Sequence, residues 1–286
     1  MRGAGSAPTE RVLDVIELLS HPENQHLRFS DVVREVELSQ ATAHAILKTL
    51  SDRGWVQRDP VTKTFSLGPA LSLVGARLDS ARPLAHVARD AAQRLAAAVD
   101  VPASVIERAG DDLVITAFEQ PKGGTIPSSP SERIPYTAPF GVAFAAWDTP
   151  AAQHAWIQRA ATDDTELTRQ LQDVLARTRE RGYDIDWMTP ALAQAAHAIG
   201  TLSDHSLPVN MRSIIDQLRV EFTSAALTSD HDPRARRPVA TISAPVLDKN
   251  GHIQLVLGIH PVRPMTMKEI RSAAEPLLRE IRTLKG

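Results

Sequence analysis

The chain has 286 residues, 32 Lys and Arg against 34 Asp and Glu, and no cysteine. This length allows two domains that each bury a core, and the lack of thiols excludes disulfides, thiolate metal sites and a cysteine nucleophile. No apolar run reaches membrane-spanning length, and the N-terminus MRGAGSAPTE lacks the hydrophobic segment of a signal peptide. We therefore expect a cytoplasmic protein with no membrane partner.

The first elements in chain order are three predicted helices. Apolar residues at helical spacing predict a helix over 9–19, which Thr9 could cap. Ser30 is a candidate N-cap for a short helix that ends near Val36. After the turn Glu37-Leu38-Ser39, the residues Ala43, Ile46, Leu47 and Leu50 fall at i, i+3, i+4 and i+7, which predicts a third helix with one buried face.

A β-hairpin is predicted directly after the third helix. The strand-like segments 55–57 and 64–67 flank the turn-rich link 59–63. A bare helical hairpin would be better explained as part of a bundle, but the hairpin that follows favours a winged helix-turn-helix. No acidic residue occurs from Leu38 through Ser51, as expected for a surface that approaches phosphates. The candidate DNA-binding residues are Gln40, Thr42, His44, Lys48, Arg53 and Lys63.

The charge of this region predicts more than one copy on the DNA. Residues 1–80 carry nine Lys and Arg against ten Asp and Glu, so a single copy should bind DNA weakly. We therefore expect a homo-oligomer, either a dimer or a dimer of dimers. The segment 69–82 is predicted to form a connecting helix that could supply the contact between copies.

From residue 84 onward, helical and strand-like segments alternate. Between them lies the Pro-, Gly- and Ser-rich stretch QPKGGTIPSSPSERIP (120–135), which could be a functional loop or a surface excursion. The turn Asp248-Lys249-Asn250-Gly251 is the strongest hairpin signal in the chain, and Thr266 with Glu269 predicts a capping box. The predicted helices cover 84–99, 141–147, 150–161, 164–181 and a segment from 266. The predicted strands cover 103–107, 113–118, 183–187, 239–247 and 252–259. Two further amphipathic stretches cover 190–202 and 210–227.

The chain resembles the IclR-type transcriptional regulators. In the first half the matching runs are ERVLDVIELL (10–19), LSQATAH (38–44), LKTL (47–50), RGWV (53–56) and FSLG (65–68). In the second half they are IPYTAPFG (134–141), RGY (181–183) and ISAPV (242–246). The resemblance implies an α+β protein with three parts: a winged helix-turn-helix DNA-binding domain at 1–68, a linker helix at 69–83, and a GAF-like α/β effector-binding and oligomerisation domain at 84–286.

The resemblance also implies a small-molecule site between the sheet and the loops above it. We expect a small organic acid, with the guanidinium of Arg133 matched to its carboxylate. Two departures from the family bear on this site: Val142 follows Gly141 where members usually have lysine, and the 184–238 connection is unusually long. The candidate effector-binding residues are Ser128, Ser129, Arg133, Tyr136, Thr137, Phe140, Gly141, Trp187 and Ser243.

Two alternatives to an effector-controlled, DNA-binding regulator remain. The second domain could lack a ligand and serve as a protein-interaction or oligomerisation module. The chain could also be an enzyme acting on a small acid, although it contains no nucleophile elbow, Walker loop, dinucleotide fingerprint or zinc-protease motif. The histidines show no metal-ligand spacing on one helix face. We therefore expect no enzyme activity, no catalytic residues, no metal and no cofactor.

Overall fold

In the computed structural model, residues 6–21, 24, 26–122, 133–160, 165–187 and 234–284 can be described. The chain divides into two compact units, residues 1–83 and 84–286. Within the described ranges, none of the helices combines the length and apolar character that a bilayer crossing requires.

The first unit is a helical cluster joined to a small antiparallel sheet. Its strands are arranged in the order β1-β3-β2, with Leu27 opposite Phe65 and Val56 opposite Leu67. The elements are α1 (Ala7–Ser20), β1 (Leu27–Arg28), α2 (Phe29–Glu35), α3 (Gln40–Asp52), β2 (Val56–Arg58), β3 (Thr64–Leu67) and α4 (Ala70–Ala81).

The predicted apolar faces of the first three helices meet in one core. Val15 of α1, Val32 of α2 and Leu47 of α3 are almost fully buried, and Phe65 of the hairpin packs with them. Burial of these side chains away from water is the main force that holds short helices together, because isolated helices of this length are marginal in water. The spacing of apolar residues therefore located this core correctly.

Two helix starts differ from the sequence prediction. The N-cap of α2 is Arg28 rather than Ser30, because the Asp31 carboxylate accepts a hydrogen bond from the Arg28 backbone N–H at 2.9 Å. The N-cap of α1 is Ser6 rather than Thr9, with a proline in the first turn of the helix. The two-residue strand β1 was missed because its partner lies far along the chain at Phe65.

The second unit contains a seven-stranded antiparallel sheet with helices on both faces. Its strands are arranged in the order β10-β8-β9-β4-β5-β6, and β7 pairs with β8 in addition. The elements are α5 (Pro83–Val99), β4 (Ala103–Ala109), β5 (Asp112–Glu119), β6 (Arg133–Pro135), α6 (Val142–Ala145), α7 (Pro150–Gln158), α8 (Thr165–Arg181), β7 (Asp184–Trp187), β8 (Arg237–Leu247), β9 (Ile253–Ile259), β10 (Arg263–Met265) and α9 (Met267–Thr283).

The two faces of this sheet are covered differently. On one face, small and aliphatic residues of α5 and α9, such as Leu95 and Leu277, pack on Ile242 and Leu257 in a large apolar core. On the other face, α6, α7 and α8 form a second core that includes Val256 of β9 and covers part of the sheet. The same face also carries a group of polar side chains, among them Ser104 and Ser243.

Several local predictions for the second unit are confirmed. The Asp248 carboxylate accepts the Asn250 and His252 backbone N–H groups at 2.8 Å, and Gly251 has a positive φ of 82°. Thr266 and Glu269 form the predicted capping box of α9. The predicted helix 141–147 shortens to α6, and the strands β6 and β10 were not predicted. The amphipathic stretches 190–202 and 210–227 lie outside the described residues.

Candidate functional site

The first candidate site is the exposed face of α3 and the hairpin that follows it. The Ser39 hydroxyl caps α3 by accepting the Thr42 backbone N–H at 3.2 Å. Because Ala43, Leu47 and Leu50 face the core, the opposite side of the helix exposes Gln40, Ala41, His44, Ala45, Lys48 and Thr49 to solvent. This face is uncharged over its first two turns and is accessible along its length.

Three of the predicted DNA-binding side chains have neighbours within the first unit, and Arg53 has a backbone role. The half-buried Thr42 hydroxyl lies 2.8 Å from the Ser39 hydroxyl. The Lys48 ammonium pairs with the Asp52 carboxylate at 2.7 Å, with both side chains more than 60% exposed. The Lys63 ammonium donates to the Pro60 carbonyl, and Arg53 is the C-cap of α3. An exposed pair such as Lys48–Asp52 is held weakly and can exchange for other partners.

The hairpin after α3 is a rigid wing. The Asp59 carboxylate accepts the backbone N–H groups of Val61 and Thr62 at 2.7 Å, and these bonds hold the pKa of Asp59 below its usual value. At the base of the wing, the Gly68 N–H donates to the Trp55 carbonyl at 2.7 Å. A Cβ at Gly68 would lie 2.2 Å from the Gly54 carbonyl oxygen, so only glycine permits this approach.

In the second unit, the predicted effector-binding residues from 136 to 141 surround the start of α6. The Tyr136 side chain is 2% exposed, and the guanidinium carbons of Arg108 and Arg159 lie 4.2 and 5.4 Å from the centre of its ring. The Tyr136 and Thr137 hydroxyls are buried with no hydrogen-bond partner among the described residues. Burial raises the pKa of Tyr136 to about 12.

Position 141 requires glycine, because a side chain there would clash with its neighbours. Its φ is +82°, and a Cβ would lie 2.8 Å from Cδ2 of Tyr136 and 2.9 Å from Cδ1 of Leu113. Beside it, the Phe140 carbonyl accepts the Trp156 indole N–H at 2.9 Å. These contacts fix the turn that leads into α6 and pack the Tyr136 ring against the second core.

A second polar group of residues lies on the same face of the sheet as α6, α7 and α8. In β8, β9 and β4, the residues Ser243, Gly258 and Ser104 are direct cross-strand partners, so they share one face. The His260 ring joins two neighbouring strands, with Nδ1 3.2 Å from the Thr241 hydroxyl and Nε2 2.9 Å from the Ser104 hydroxyl. We call this set the polar sheet face: Ser104, Thr241, Ser243, Gly258 and His260.

Two aspartates of β7 extend the polar sheet face. Asp184 lies opposite Ser243 and Asp186 opposite Thr241. Burial raises the pKa of Asp186 well above its usual range, and the neighbouring Asp184 raises it further. Burial also raises the pKa of Asp184, although Arg181 opposes this and the Thr178 hydroxyl donates to its carboxylate at 3.3 Å.

Burial keeps the His260 ring neutral at physiological pH. It lowers the pKa of this histidine to about 4, because an imidazolium would lose its hydration inside the fold. A neutral imidazole donates through one ring nitrogen and accepts through the other. The polar sheet face therefore combines hydroxyl groups, a neutral imidazole and carboxyls that tend to hold their protons.

Comparison with known proteins identifies the first domain and its relatives. Residues 8–60 match the IclR helix-turn-helix domain. The glycerol operon regulatory protein of Streptomyces coelicolor is 27% identical over 183 residues, which are 62% of this chain and 71% of that protein. The transcriptional regulator XynR of Escherichia coli is 24% identical over 184 residues, covering 62% and 73%. The chain therefore carries an IclR helix-turn-helix domain, and its similarity to these transcriptional regulators extends over 62% of its length.

Solved structures of the family share the whole fold. The IclR regulator of Alicyclobacillus acidocaldarius superposes with a TM-score of 0.65 at 18% identity and covers 98% of both chains. An IclR homologue of Microbacterium hydrocarbonoxydans complexed with 4-hydroxybenzoate gives 0.61 at 15% identity, covering 97% of this chain and all of that one. The predicted combination of a winged helix-turn-helix with a GAF-like α/β domain is thereby confirmed.

The predicted effector residues do not all lie together. Ser243 belongs to the polar sheet face, whereas Trp187 packs with Val239 in the apolar core on the opposite face, where the Arg237 guanidinium lies 3.9 Å from the centre of its ring. The backbone of Arg133 pairs with Val114 at the sheet edge. Ser128 and Ser129 lie outside the described residues.

Five residues near Ser243 were missed by the sequence analysis: Ser104, Asp184, Asp186, Thr241 and His260. A weak signal existed, because polar or small residues alternate with aliphatic ones in TIS (241–243) and GIH (258–260). Alternation shows that these residues share a face of a strand. It does not show which strands are neighbours, and this assembly depends on the order of four strands.

Proposed function

We propose that this IclR-family regulator recognises its operator by placing α3 in the major groove. Thr42 and His44 would meet base edges, with Gln40 beside them, while Lys48, Arg53 and Lys63 would meet phosphates. The observation that carries this assignment is the exposed, acid-free start of α3, followed directly by a rigid wing. DNA binding by the family supports the general role, and the contribution of each residue is our proposal.

The assignment can be tested on an operator selected from a random DNA library with the full-length protein. The double variant His44→Ala/Lys48→Ala should lose at least about tenfold in operator affinity, since a good base contact is worth roughly 1–3 kcal/mol. The control His154→Ala/Lys268→Ala changes the same residue types at exposed positions of the second unit. Unchanged operator binding by the first variant would remove α3 from the interface.

We further propose that the second unit binds a small organic acid that controls operator binding. Three observations support this: the buried, unsatisfied Tyr136 and Thr137 hydroxyls, the polar sheet face, and the 4-hydroxybenzoate held by a structural relative. The proposed site lies between the start of α6 and the polar sheet face. No catalytic role is part of this proposal, because the named relatives are regulators.

Arg133 is the proposed partner of the effector carboxylate. A charge-assisted hydrogen bond is worth roughly 1.5–3 kcal/mol, so Arg133→Ala should weaken binding of an acid by about tenfold or more. A thermal-shift screen of organic acids would supply the ligand, and Arg271→Ala on the exposed side of α9 is the matched control. A ligand that binds Arg133→Ala as tightly as the wild type would exclude Arg133 from the site.

Self-association through α4 completes the proposal. Leu73, Val74 and Leu78 on this helix are 69, 49 and 50% exposed, a concentration of apolar surface that a second copy could cover. Light scattering at micromolar concentration should return a dimer or larger species, and Leu73→Glu should shift it toward monomer. A monomeric wild type would contradict the proposal.

A further inference from the structure

We propose that the contact between Gly54, Gly68 and Ala70 is a rigid joint between α3 and α4, and that it sets the spacing of the operator. We call these three residues the α3–α4 joint. The spacing is the distance between two half-sites, the DNA repeats that the two copies of a dimer bind. The inference rests on the proposed roles of α3 in DNA binding and of α4 in self-association. It assigns positioning residues, which act through the orientation of α3 rather than by contact with DNA.

Backbone hydrogen bonds fasten the start of α4 directly to the end of α3. Gly54 follows the C-cap of α3 with a positive φ of 71°, and its carbonyl accepts the Ala70 N–H at 3.0 Å. The next carbonyl, that of Trp55, accepts the Gly68 N–H at 2.7 Å. The chain therefore leaves α3, forms the hairpin and returns to the same point, where α4 begins.

The α3–α4 joint is a contact between backbones that leaves no room for adjustment. A Cβ at Gly68 would lie 2.2 Å from the carbonyl oxygen of Gly54, and 2.8 and 2.9 Å from the carbonyl carbons of Gly54 and Trp55. Backbone atoms cannot rotate away as the end of a side chain can, so the two segments are held in one arrangement. Only Gly68 and Pro69 separate β3 from α4, and the proline ring restricts φ at the residue before the helix.

The two helices that the α3–α4 joint connects have different proposed partners. α3 exposes His44 and Lys48 toward the proposed DNA, and α4 exposes Leu73 and Leu78 toward the proposed second copy. Both helices belong to the first unit. Because a symmetric dimer repeats the same geometry in each copy, a rigid joint fixes the distance between the two α3 helices. Each base pair added between the half-sites would move one half-site by about 3.4 Å and turn it by about 34°.

Two changes to the α3–α4 joint test the inference in the full-length protein. Inserting Gly-Ser between Pro69 and Ala70 loosens the connection with two flexible residues, and Gly68→Ala forces the two backbones apart. Fluorescence anisotropy would measure the affinity for the selected operator, for versions with one or two base pairs added between its half-sites, and for an isolated half-site. The wild type should bind the version with two added base pairs at least about tenfold more weakly than the selected operator.

The insertion variant should tolerate more spacings without losing recognition of a half-site. Its penalty for two added base pairs should fall to about threefold or less, because a flexible connection lets each α3 reach its own half-site. Its affinity for the isolated half-site should stay within about twofold of the wild type, since the α3 face itself is unchanged. A role in folding alone would instead weaken binding to every DNA by the same factor.

The matched control is the same Gly-Ser inserted between Arg82 and Pro83, beyond the other end of α4. This control lengthens the chain equally but leaves the α3–α4 joint intact, so it should keep the spacing preference of the wild type. Light scattering would show whether each variant remains a dimer or larger species. Because Gly68→Ala can also destabilise the first unit, the insertion after Pro69 decides the result where the two variants disagree.

The outcomes separate this inference from the proposed function. The inference is wrong, with DNA recognition by α3 unaffected, if the wild type tolerates added base pairs or if the insertion after Pro69 keeps the spacing preference of the wild type. Loss of half-site binding by the insertion variant would also overturn it, since the joint would then support only the fold. If His44→Ala/Lys48→Ala binds the operator normally, or if the wild type is a monomer, the proposed function fails and the inference fails with it.

Discussion

The exposed face of α3 and the polar sheet face are built in opposite ways. The first comes from thirteen consecutive residues, Gln40–Asp52, whose outward side chains lie in solvent. The second joins residues far apart in the chain, as in the His260–Ser104 hydrogen bond that spans 156 positions. An exposed helix face can change its side chains with little effect on folding. A buried polar assembly is fixed by the fold that surrounds it.

This difference also determines what each surface contributes to stability. The Lys48–Asp52 pair on α3 is exposed, and such pairs contribute about 0–1 kcal/mol. The Thr241–His260–Ser104 chain is partly buried, and removing one partner there leaves another group unsatisfied, which costs roughly 1–3 kcal/mol. Substitutions on the exposed face of α3 should therefore change function without changing stability. Substitutions on the polar sheet face should change both.

The largest expected contrast lies between the two faces of α3 itself. Leu47 is 2% exposed and packs in the core of the first unit, so Leu47→Ala should lower the free energy of unfolding of that unit by roughly 2–5 kcal/mol. His44 is exposed, and His44→Ala should change it by less than about 0.5 kcal/mol. Urea unfolding monitored by circular dichroism measures both, and equal losses would contradict the assigned faces.

The order of elements in the first unit could be predicted from the sequence because its signals are local. The i, i+3, i+4, i+7 spacing from Ala43 to Leu50 identified the buried face of α3 without any knowledge of its partners. The exact caps could not be predicted, since the hydrogen bond from the Arg28 N–H to Asp31 moved the start of α2 ahead of Ser30. A helix cap depends on single hydrogen bonds, and the spacing of apolar residues gives no information about these.

The candidate effector site was less predictable because it depends on strand register. His260 was one of several scattered histidines in the sequence, and only the pairing of β8 with β9 and β4 brings it between Thr241 and Ser104. Alternation along DIDW (184–187) places Trp187 on the face opposite Asp184 and Asp186. Only the pairing of Asp184 with Ser243 shows that Trp187 therefore lies in the apolar core rather than beside Ser243.

The next expected effect is a loss of stability in acid to which His260 of the polar sheet face contributes. Burial lowers the pKa of His260 from 6.5 to about 4, so the unfolded chain binds a proton more readily than the folded one. The free energy of unfolding should therefore fall as the pH drops from 6.5 toward 4, by about 3 kcal/mol at most. His260→Gln, which does not titrate, should lack this part of the pH dependence.

The difference between wild type and His260→Gln isolates this effect from the nearby carboxyls. Asp184 and Asp186 have raised pKa values and contribute with the opposite sign, since their protonated forms favour the folded state as the pH falls. Both carboxyls are present in the wild type and the variant. The exposed His154→Gln is the matched control. Identical pH profiles for all three proteins would show that His260 is not held neutral by burial.

The smallest expected effect concerns Lys48, whose exposed ammonium pairs with Asp52 at 2.7 Å. Asp52→Asn removes a negative charge from the proposed DNA-binding face and releases Lys48. The free energy of unfolding should change by less than about 0.5 kcal/mol. We expect operator affinity to rise a few-fold, because the lysine no longer gives up an internal partner when it meets a phosphate.

If Lys48 makes that contact, Lys48→Ala should reduce the salt dependence of binding by about 0.9 in the slope of log K against log salt, with or without Asp52→Asn. Weaker binding by Asp52→Asn would instead mean that the carboxylate positions Lys48 for the DNA, and an unchanged slope in Lys48→Ala would remove this lysine from the phosphate contacts altogether.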